Sequence, residues 1–191
     1  MNSLPELKFV SWAELHEMGF ELSNRLRDLR PGSCTILSVA RGGHVLARLL
    51  SDFLNLPIYS FSIQSYQDLQ QHELRITQEL SGDFKGRNVL LVDEIIDSGK
   101  TLVRALEYLS DFEIKSVTSV SLHVKPEAVM KSDFYGEETD KWVVYPYEVR
   151  ETVQALVPIW ASAGQPPEFL RETLIQGGMS PAWVDQYLVL K

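Results

Sequence analysis

Asn88-Val89-Leu90-Leu91-Val92-Asp93-Glu94-Ile95-Ile96-Asp97-Ser98-Gly99-Lys100-Thr101 decides the fold of this chain. Residues 89–92 are four apolar residues in a row, the length of a short buried strand. Asp93 and Glu94 follow at once, then two β-branched residues, a third acid at Asp97 and the small polar run from Ser98 to Thr101. Beyond it Leu102, Ala105, Leu106 and Leu109 recur at i, i+3, i+4 and i+7, the spacing of a helix with one apolar face. The stretch reads as strand, acidic turn, tight loop, helix. Such a turn gathers backbone N–H groups and a helix N-terminus where a phosphate can sit. Three carboxylates lie within a few residues of that point.

Upstream, residues 35–40 read as a buried strand, Arg41-Gly42-Gly43 as a sharp loop, and Val45, Leu46, Leu49, Leu50 and Phe53 as the apolar side of a helix. A second strand covers 58–63. Residues 64–86 are polar and suggest a mobile lid or a protruding hairpin. Before all of these, Ser11-Trp12-Ala13-Glu14 is a capping box opening an amphipathic helix with Leu15, Met18, Leu22 and Leu26. Downstream, 116–124 is a strand that stops at Lys125-Pro126, because proline cannot extend a central ladder. Residues 130–140 read as loop, and 142–145 as a short strand broken by Pro146. Residues 151–191 resolve into three helical segments, the last starting at Ser180-Pro181. Strands separated by helix-length crossovers give an α/β fold: a parallel sheet with helices on both faces. Ligands of such sheets bind at the carboxyl ends of strands. Three loops converge there: 41–43, 93–101 and the turn at Lys125.

A chain of 191 residues with 45% hydrophobic and 23% charged residues fits one globular domain with appendages. The net charge of −8 and the lack of any Lys/Arg run argue against a nucleic-acid or anionic-membrane surface. Cys34 is the sole cysteine, so no internal disulfide forms, and its apolar neighbours suggest a buried small hydrophobe. The first residues lack a basic-then-apolar leader, and no apolar run is long enough to span a bilayer. The expected location is the cytoplasm.

Gly99-Lys100-Thr101 invites a P-loop reading, but that motif needs glycine where Glu94 stands. An aspartyl-phosphate site needs an Asp-x-Asp pair after the strand, and Asp93 is followed by Glu94 and Ile95. What survives is a phosphate cradle beside three acids. Ribose hydroxyls, which donate to carboxylates, and a Mg²⁺ ion would both offset the repulsion. That combination describes a ribose phosphate.

Residues 89–101 resemble the phosphoribosyl-pyrophosphate (PRPP) signature of the type I phosphoribosyltransferases: apolar strand, two acids, two apolar residues, Asp, Ser or Thr, Gly, any residue, Ser or Thr. The resemblance implies that Asp93 and Glu94 hold the ribose hydroxyls. It implies that Asp97, Ser98, Gly99, Lys100 and Thr101 bind the 5′-phosphate. Asp97 would also act as the acid/base group near N7 of the base. Other segments resemble the purine-using branch. Arg41-Gly42-Gly43 is similar to its pyrophosphate loop, where the peptide before the arginine is often cis, so a cis Ala40–Arg41 bond is expected. Ser65-Tyr66 is similar to the dipeptide of the mobile loop. Lys125 matches the base-reading lysine, whose ammonium favours a carbonyl at purine C6; the plain alternative is a surface lysine ending a strand. Trp142 and Val143 match the segment that stacks on the base, with core filling as the alternative for Trp142. Glu148 matches an acid that helps hold a second Mg²⁺, beside Asp93 and Glu94 at the first.

The resemblance covers roughly residues 35–150. It implies a type I phosphoribosyltransferase domain over 1–150, with a core at about 35–125 and a small hood from the N-terminal region and 126–150. A helical C-terminal extension follows at 151–191. The implied reaction joins a 6-oxopurine (hypoxanthine, guanine or xanthine) to PRPP with Mg²⁺, giving a nucleoside 5′-monophosphate and pyrophosphate, in a homo-oligomer, dimer or tetramer. Two alternatives stay open: a PRPP- or nucleotide-binding regulator without turnover, and a phosphoribosyltransferase for another base.

Overall fold

The computed structural model describes residues 4–27, 34–68 and 71–188, with backbone alone at 65–68, 71 and 72. The chain divides into two compact units, residues 16–140 and residues 1–15 with 141–191. Among the described residues no helix is long and apolar enough to cross a membrane.

The larger unit is built on seven strands. They are β2 (Cys34–Ala40), β3 (Ile58–Asp68), β4 (Gln71–Gln78), β5 (Asn88–Val92), β6 (Ile95–Ile96), β7 (Ser116–Val124) and β8 (Phe134–Glu138). The order is β4-β3-β2-β5-β7, with β6 and β8 also paired to β7. The pairs β2–β3, β2–β5, β5–β7, β6–β7 and β7–β8 are parallel, as expected for a crossover-connected sheet. The antiparallel pair β3–β4 is the hairpin that the polar segment suggested. Residues 69 and 70 lie outside the described set.

Strands buried on both faces explain the unbroken apolar runs. Leu37, Val39, Val89 and Leu91 face Leu102, Ala105 and Leu109 of helix α3 (Lys100–Leu109) in one core. The alternate residues Ile36, Ser38, Leu90 and Val92 are buried too, and helix α2 (His44–Leu54) packs on β2 and β5. Cys34 differs from expectation: at the start of β2 it is only half-buried.

Residues 130–140, expected as loop, contain β8. Its polar composition and Gly136 hid it, because an edge strand needs little apolar content. The glycine is required by packing: a Cβ there would lie 2.5 Å from Met18 Cε and 2.8 Å from the Leu122 oxygen.

The smaller unit contains β1 (Leu7–Phe9) in parallel with β9 (Trp142–Val144). It also contains α4 (Val149–Ser162), α5 (Pro167–Gln176) and α6 (Pro181–Tyr187). Val144, Val153, Leu156, Trp160, Leu170, Leu174 and Val184 form its core, with Leu7 and Phe9 packed on it. The last 41 residues therefore share one hydrophobic core with the first strand. The turn between α5 and α6 packs on β1 at Gly177, where a Cβ would run into the Phe9 ring. A cavity of about 370 Å³ opens beside Phe9, Trp12, Tyr145, Met179 and Trp183. Helix α1 (Trp12–Leu26) starts in this unit with the expected capping box: Glu14 Oε2 accepts from the Ser11 amide at 2.7 Å, and Ser11 Oγ accepts from the Glu14 amide at 3.2 Å.

Candidate active site

Asp93 and Glu94 sit where β5 ends and β6 begins. The ladder to β7 does not stop at Val92. Val92 pairs with Val120, and the same register resumes at Ile95 with His123. Between them the Asp93 amide donates to the Val120 carbonyl at 3.1 Å, and the Glu94 carbonyl accepts from Leu122 and His123 at 3.0 and 3.1 Å. The acidic pair is thus pinned by its backbone at the carboxyl end of the sheet, which leaves both side chains half-buried at the rim.

Burial raises the Asp93 pKa, and the neighbouring Glu94 charge raises it further. The Glu94 N–H that donates to Asp93 Oδ1 at 2.9 Å works the other way, and the net effect pushes the carboxyl up to about 7. The fold thus disfavours the charged form of Asp93, and hydroxyl donors or a hard cation arriving with a ligand would favour it. Among the described residues no group of three His, Cys, Asp or Glu side chains forms a metal cage. A Mg²⁺ held by one or two carboxylates, with waters and phosphates completing its shell, needs no such cage.

The next residues turn into α3. Asp97 and Ser98 are exposed. Gly99 is the helix N-cap at φ 80°, ψ −8°, a left-handed conformation that suits glycine, and it makes no side-chain cap bond. The Lys100 amide makes a 3.4 Å contact to Ser98 Oγ. Among the described residues the first helical N–H groups show no stronger side-chain partner, as at the helix starts that bind anions.

Residues 41–43 join it from β2. The Ala40–Arg41 peptide is cis, as expected. The Gly43 amide donates to the Val39 carbonyl at 2.9 Å and the His44 amide to the Arg41 carbonyl at 3.1 Å. This loop is pressed against the acidic stretch. A Cβ on Gly43 would strike the Val92 oxygen, and one on Gly42 the Glu94 carboxylate. His44, the first residue of α2 after this loop, has its Nδ1 3.0 Å from Ser38 Oγ.

Lys125 completes the rim. It is not a surface residue: 9% of it is exposed. Its amide donates to the Ile96 carbonyl at 2.8 Å, tying it to the end of the acidic stretch, and its Nζ donates to the Asp140 carbonyl at 3.1 Å. The structure therefore brings together Arg41, Gly42, Gly43, Asp93, Glu94, Asp97, Ser98, Gly99, Lys100, Thr101 and Lys125 within the larger unit. The backbones of Ser65 and Tyr66 lie in β3 opposite Leu74 and Glu73, and their side chains are outside the described set. Trp142 and Val143 belong to the smaller unit on β9, where Trp142 is half-buried and packs on the helical core. Glu148 is the N-cap residue of α4 in that unit. Sequence reading missed the backbone partners: Asp140 holding Lys125, and Val129, whose amide donates to the Ser98 carbonyl at 3.0 Å. No side-chain pattern could have marked either.

Residues 12–152 match the family model described as the phosphoribosyl transferase domain. The chain is similar to the xanthine-guanine phosphoribosyltransferase of Idiomarina loihiensis, at 29% identity over 74% of this chain and 86% of that one. It is also similar to the hypoxanthine phosphoribosyltransferase of Haemophilus influenzae, at 30% identity over 69% of this chain and 78% of that one. A solved purine phosphoribosyltransferase from Pyrococcus horikoshii superposes with a TM-score of 0.69 at 30% identity, covering 74% of this chain and 93% of the other.

Proposed function

This chain belongs to the phosphoribosyl transferase domain family, and from that premise we propose that it transfers the 5-phosphoribosyl group of PRPP to a 6-oxopurine. It is a pentosyltransferase of the purine branch; the relatives named for xanthine-guanine and hypoxanthine transfer support that reading over a regulator without turnover. The observation that carries the choice of base is Lys125. Its backbone is tied to Ile96 at the end of the acidic stretch and its side chain is buried with the ammonium on the Asp140 carbonyl, which supports a reading in which that ammonium donates to a carbonyl at purine C6 and disfavours an amino group.

In this reading the C1′–O bond to pyrophosphate breaks as the bond from C1′ to N9 of the base forms. C1′ becomes oxocarbenium-like. Asp93 and Glu94 accept hydrogen bonds from the ribose hydroxyls. The amides of residues 98–101, with the hydroxyls of Ser98 and Thr101, hold the 5′-phosphate. Arg41 and the Gly42 amide take the leaving pyrophosphate, with Gly43 letting the loop approach it closely while its own amide stays on the Val39 carbonyl, and Asp97 accepts the proton that the purine loses. Catalysis is mostly positioning and charge stabilisation. Closure of the segment bearing Ser65 and Tyr66 would exclude water that competes for C1′.

The family likeness adds Mg²⁺, which would supply positive charge to offset the diphosphate. Two adjacent carboxylates at the rim, Asp93 and Glu94, would be its protein neighbours, with Glu148 at a second ion. Trp142 would stack on the base, and Val143 would lie beside it. The N-terminal region and residues 126–150 would form the hood, followed by the helical extension 151–191. A homo-oligomer, dimer or tetramer, in the cytoplasm completes the proposal. The test is pyrophosphate release from PRPP with hypoxanthine, guanine, xanthine and adenine in turn. Release with an oxopurine and not with adenine is expected; none with any oxopurine sinks the reading.

A further inference from the structure

The turn at Ser98 and Gly99 is held from outside chiefly by the backbone of Val129 and Met130. The Val129 amide donates to the Ser98 carbonyl at 3.0 Å. The Ser98–Gly99 peptide is trans, and a trans peptide is planar with its C=O and N–H on opposite sides. The Gly99 N–H must therefore point away from Val129. Met130 covers Gly99 as well: a Cβ on Gly99 would lie 2.6 Å from the Met130 oxygen and 2.7 Å from its nitrogen. Val129 Cγ2 also lies 3.3 Å from that Cβ position, but the closest atoms are main-chain ones and Val129 and Met130 are 72% and 39% exposed. What this strap supplies is backbone.

We propose that the Val129 amide is a positioning group for the 5′-phosphate. By holding the Ser98 carbonyl on one side of the turn, it directs the Gly99 N–H to the other, alongside the first amides of α3. The alternative it removes is specific. Glycine populates both signs of φ readily. A released Ser98–Gly99 peptide can flip and turn a carbonyl oxygen toward the phosphate, exchanging a donor for a repulsive acceptor. The strap is thus preorganisation: the loop that must be supple enough for Gly99 is clamped from a remote part of the chain. The proposal rests on the reading of residues 97–101 as the 5′-phosphate site.

The test uses three full-length variants. Val129→Ala keeps the amide and should match wild type. Val129→Pro removes the N–H. The third carries α-hydroxyisovalerate at position 129, an ester in place of the amide, which removes the N–H without restraining Ala128 as proline does. The proline and ester variants should raise the KM for PRPP about threefold to tenfold, the range that one backbone hydrogen bond spans. Their kcat and the KM for the base should stay at wild-type values. Inhibition by the nucleoside 5′-monophosphate should weaken by the same factor, and inhibition by the nucleoside without phosphate should not. Unchanged values in the folded ester variant would overturn the proposal, as would equal weakening of nucleoside and nucleotide. Calorimetric binding of ribose 5-phosphate to the same variants reads the strap without turnover. A wild-type protein that releases no pyrophosphate but loses ribose 5-phosphate affinity in the ester variant therefore fails the enzyme reading and upholds this one.

Discussion

Gly42 and Glu94 occupy one space. A Cβ built on Gly42 falls onto the Glu94 side chain, 2.6 Å from Cδ and 3.0 Å from Cγ. The residues are far apart in sequence, on loops after β2 and β5, which are adjacent parallel strands. The loop proposed for pyrophosphate and the acid proposed for ribose are therefore one packed unit, and neither can change size alone.

Gly42→Ala should destabilise the protein by about 1–3 kcal/mol, the usual cost of overpacking. Placed in a Glu94→Ala background, which vacates the space, the same change should cost much less. A double-mutant cycle by denaturant unfolding measures this coupling. Additive costs would show that the loop relaxes without touching Glu94.

Asp97 is exposed at the rim and free to meet a ligand. Asp97→Asn should lower turnover about 10²–10⁴-fold, the range for a positioned acid/base group, with thermal stability unchanged. Steady-state kinetics beside a melting curve checks both. Full activity in Asp97→Asn would remove this residue from the mechanism.

Lys125→Ala should raise the KM for the oxopurine more than that for PRPP. It also strands the Asp140 carbonyl, which Nζ reaches at 3.1 Å, so a loss of about 1–3 kcal/mol of stability should accompany it. Lys125→Arg keeps a cation and should retain more activity. Kinetics with each substrate varied in turn separates the two effects.

Asp93 predicts a pH dependence of stability. Its carboxyl is ordinary in the unfolded chain, with a pKa of 3.8, and is pushed up to about 7 in the fold. Between those values the native state binds more protons than the unfolded state, so stability falls as pH rises. The penalty is absent below the unfolded pKa and complete above the folded one. Wild type should therefore melt lower than Asp93→Asn at pH 8 by a few degrees, and the gap should close near pH 4. Differential scanning calorimetry across that window decides it; a gap independent of pH contradicts the raised pKa.

Leu156 and Leu174 are fully buried in the core that joins α4–α6 to β1 and β9. Leu→Ala at either should cost about 2–5 kcal/mol. If residues 151–191 were a dispensable appendage, both would be silent in denaturant melts.

Much of this was legible in the chain because it is local. An apolar run bounded by acids makes β5, a 3.6-residue period makes α3, and the glycine between them permits the left-handed turn at Gly99. The same holds for the 41–43 loop and for the strand ending at Lys125-Pro126, so sequence alone determined the α/β core and the residues along its carboxyl edge. Other features were decided only by tertiary structure. β6 extends the ladder past the acids, β8 covers an edge, Val129 clamps Ser98, and Asp140 anchors Lys125. Three of these are contacts between main-chain groups, and the fourth ends on a main-chain carbonyl. Every residue carries that carbonyl and every residue but proline the matching N–H, so the side-chain pattern holds no record of which pair meets. The grouping of the last helices with the first strand escaped for a related reason. Apolar stripes on α4–α6 say that a partner exists, and only the folded chain says that it is Leu7 and Phe9.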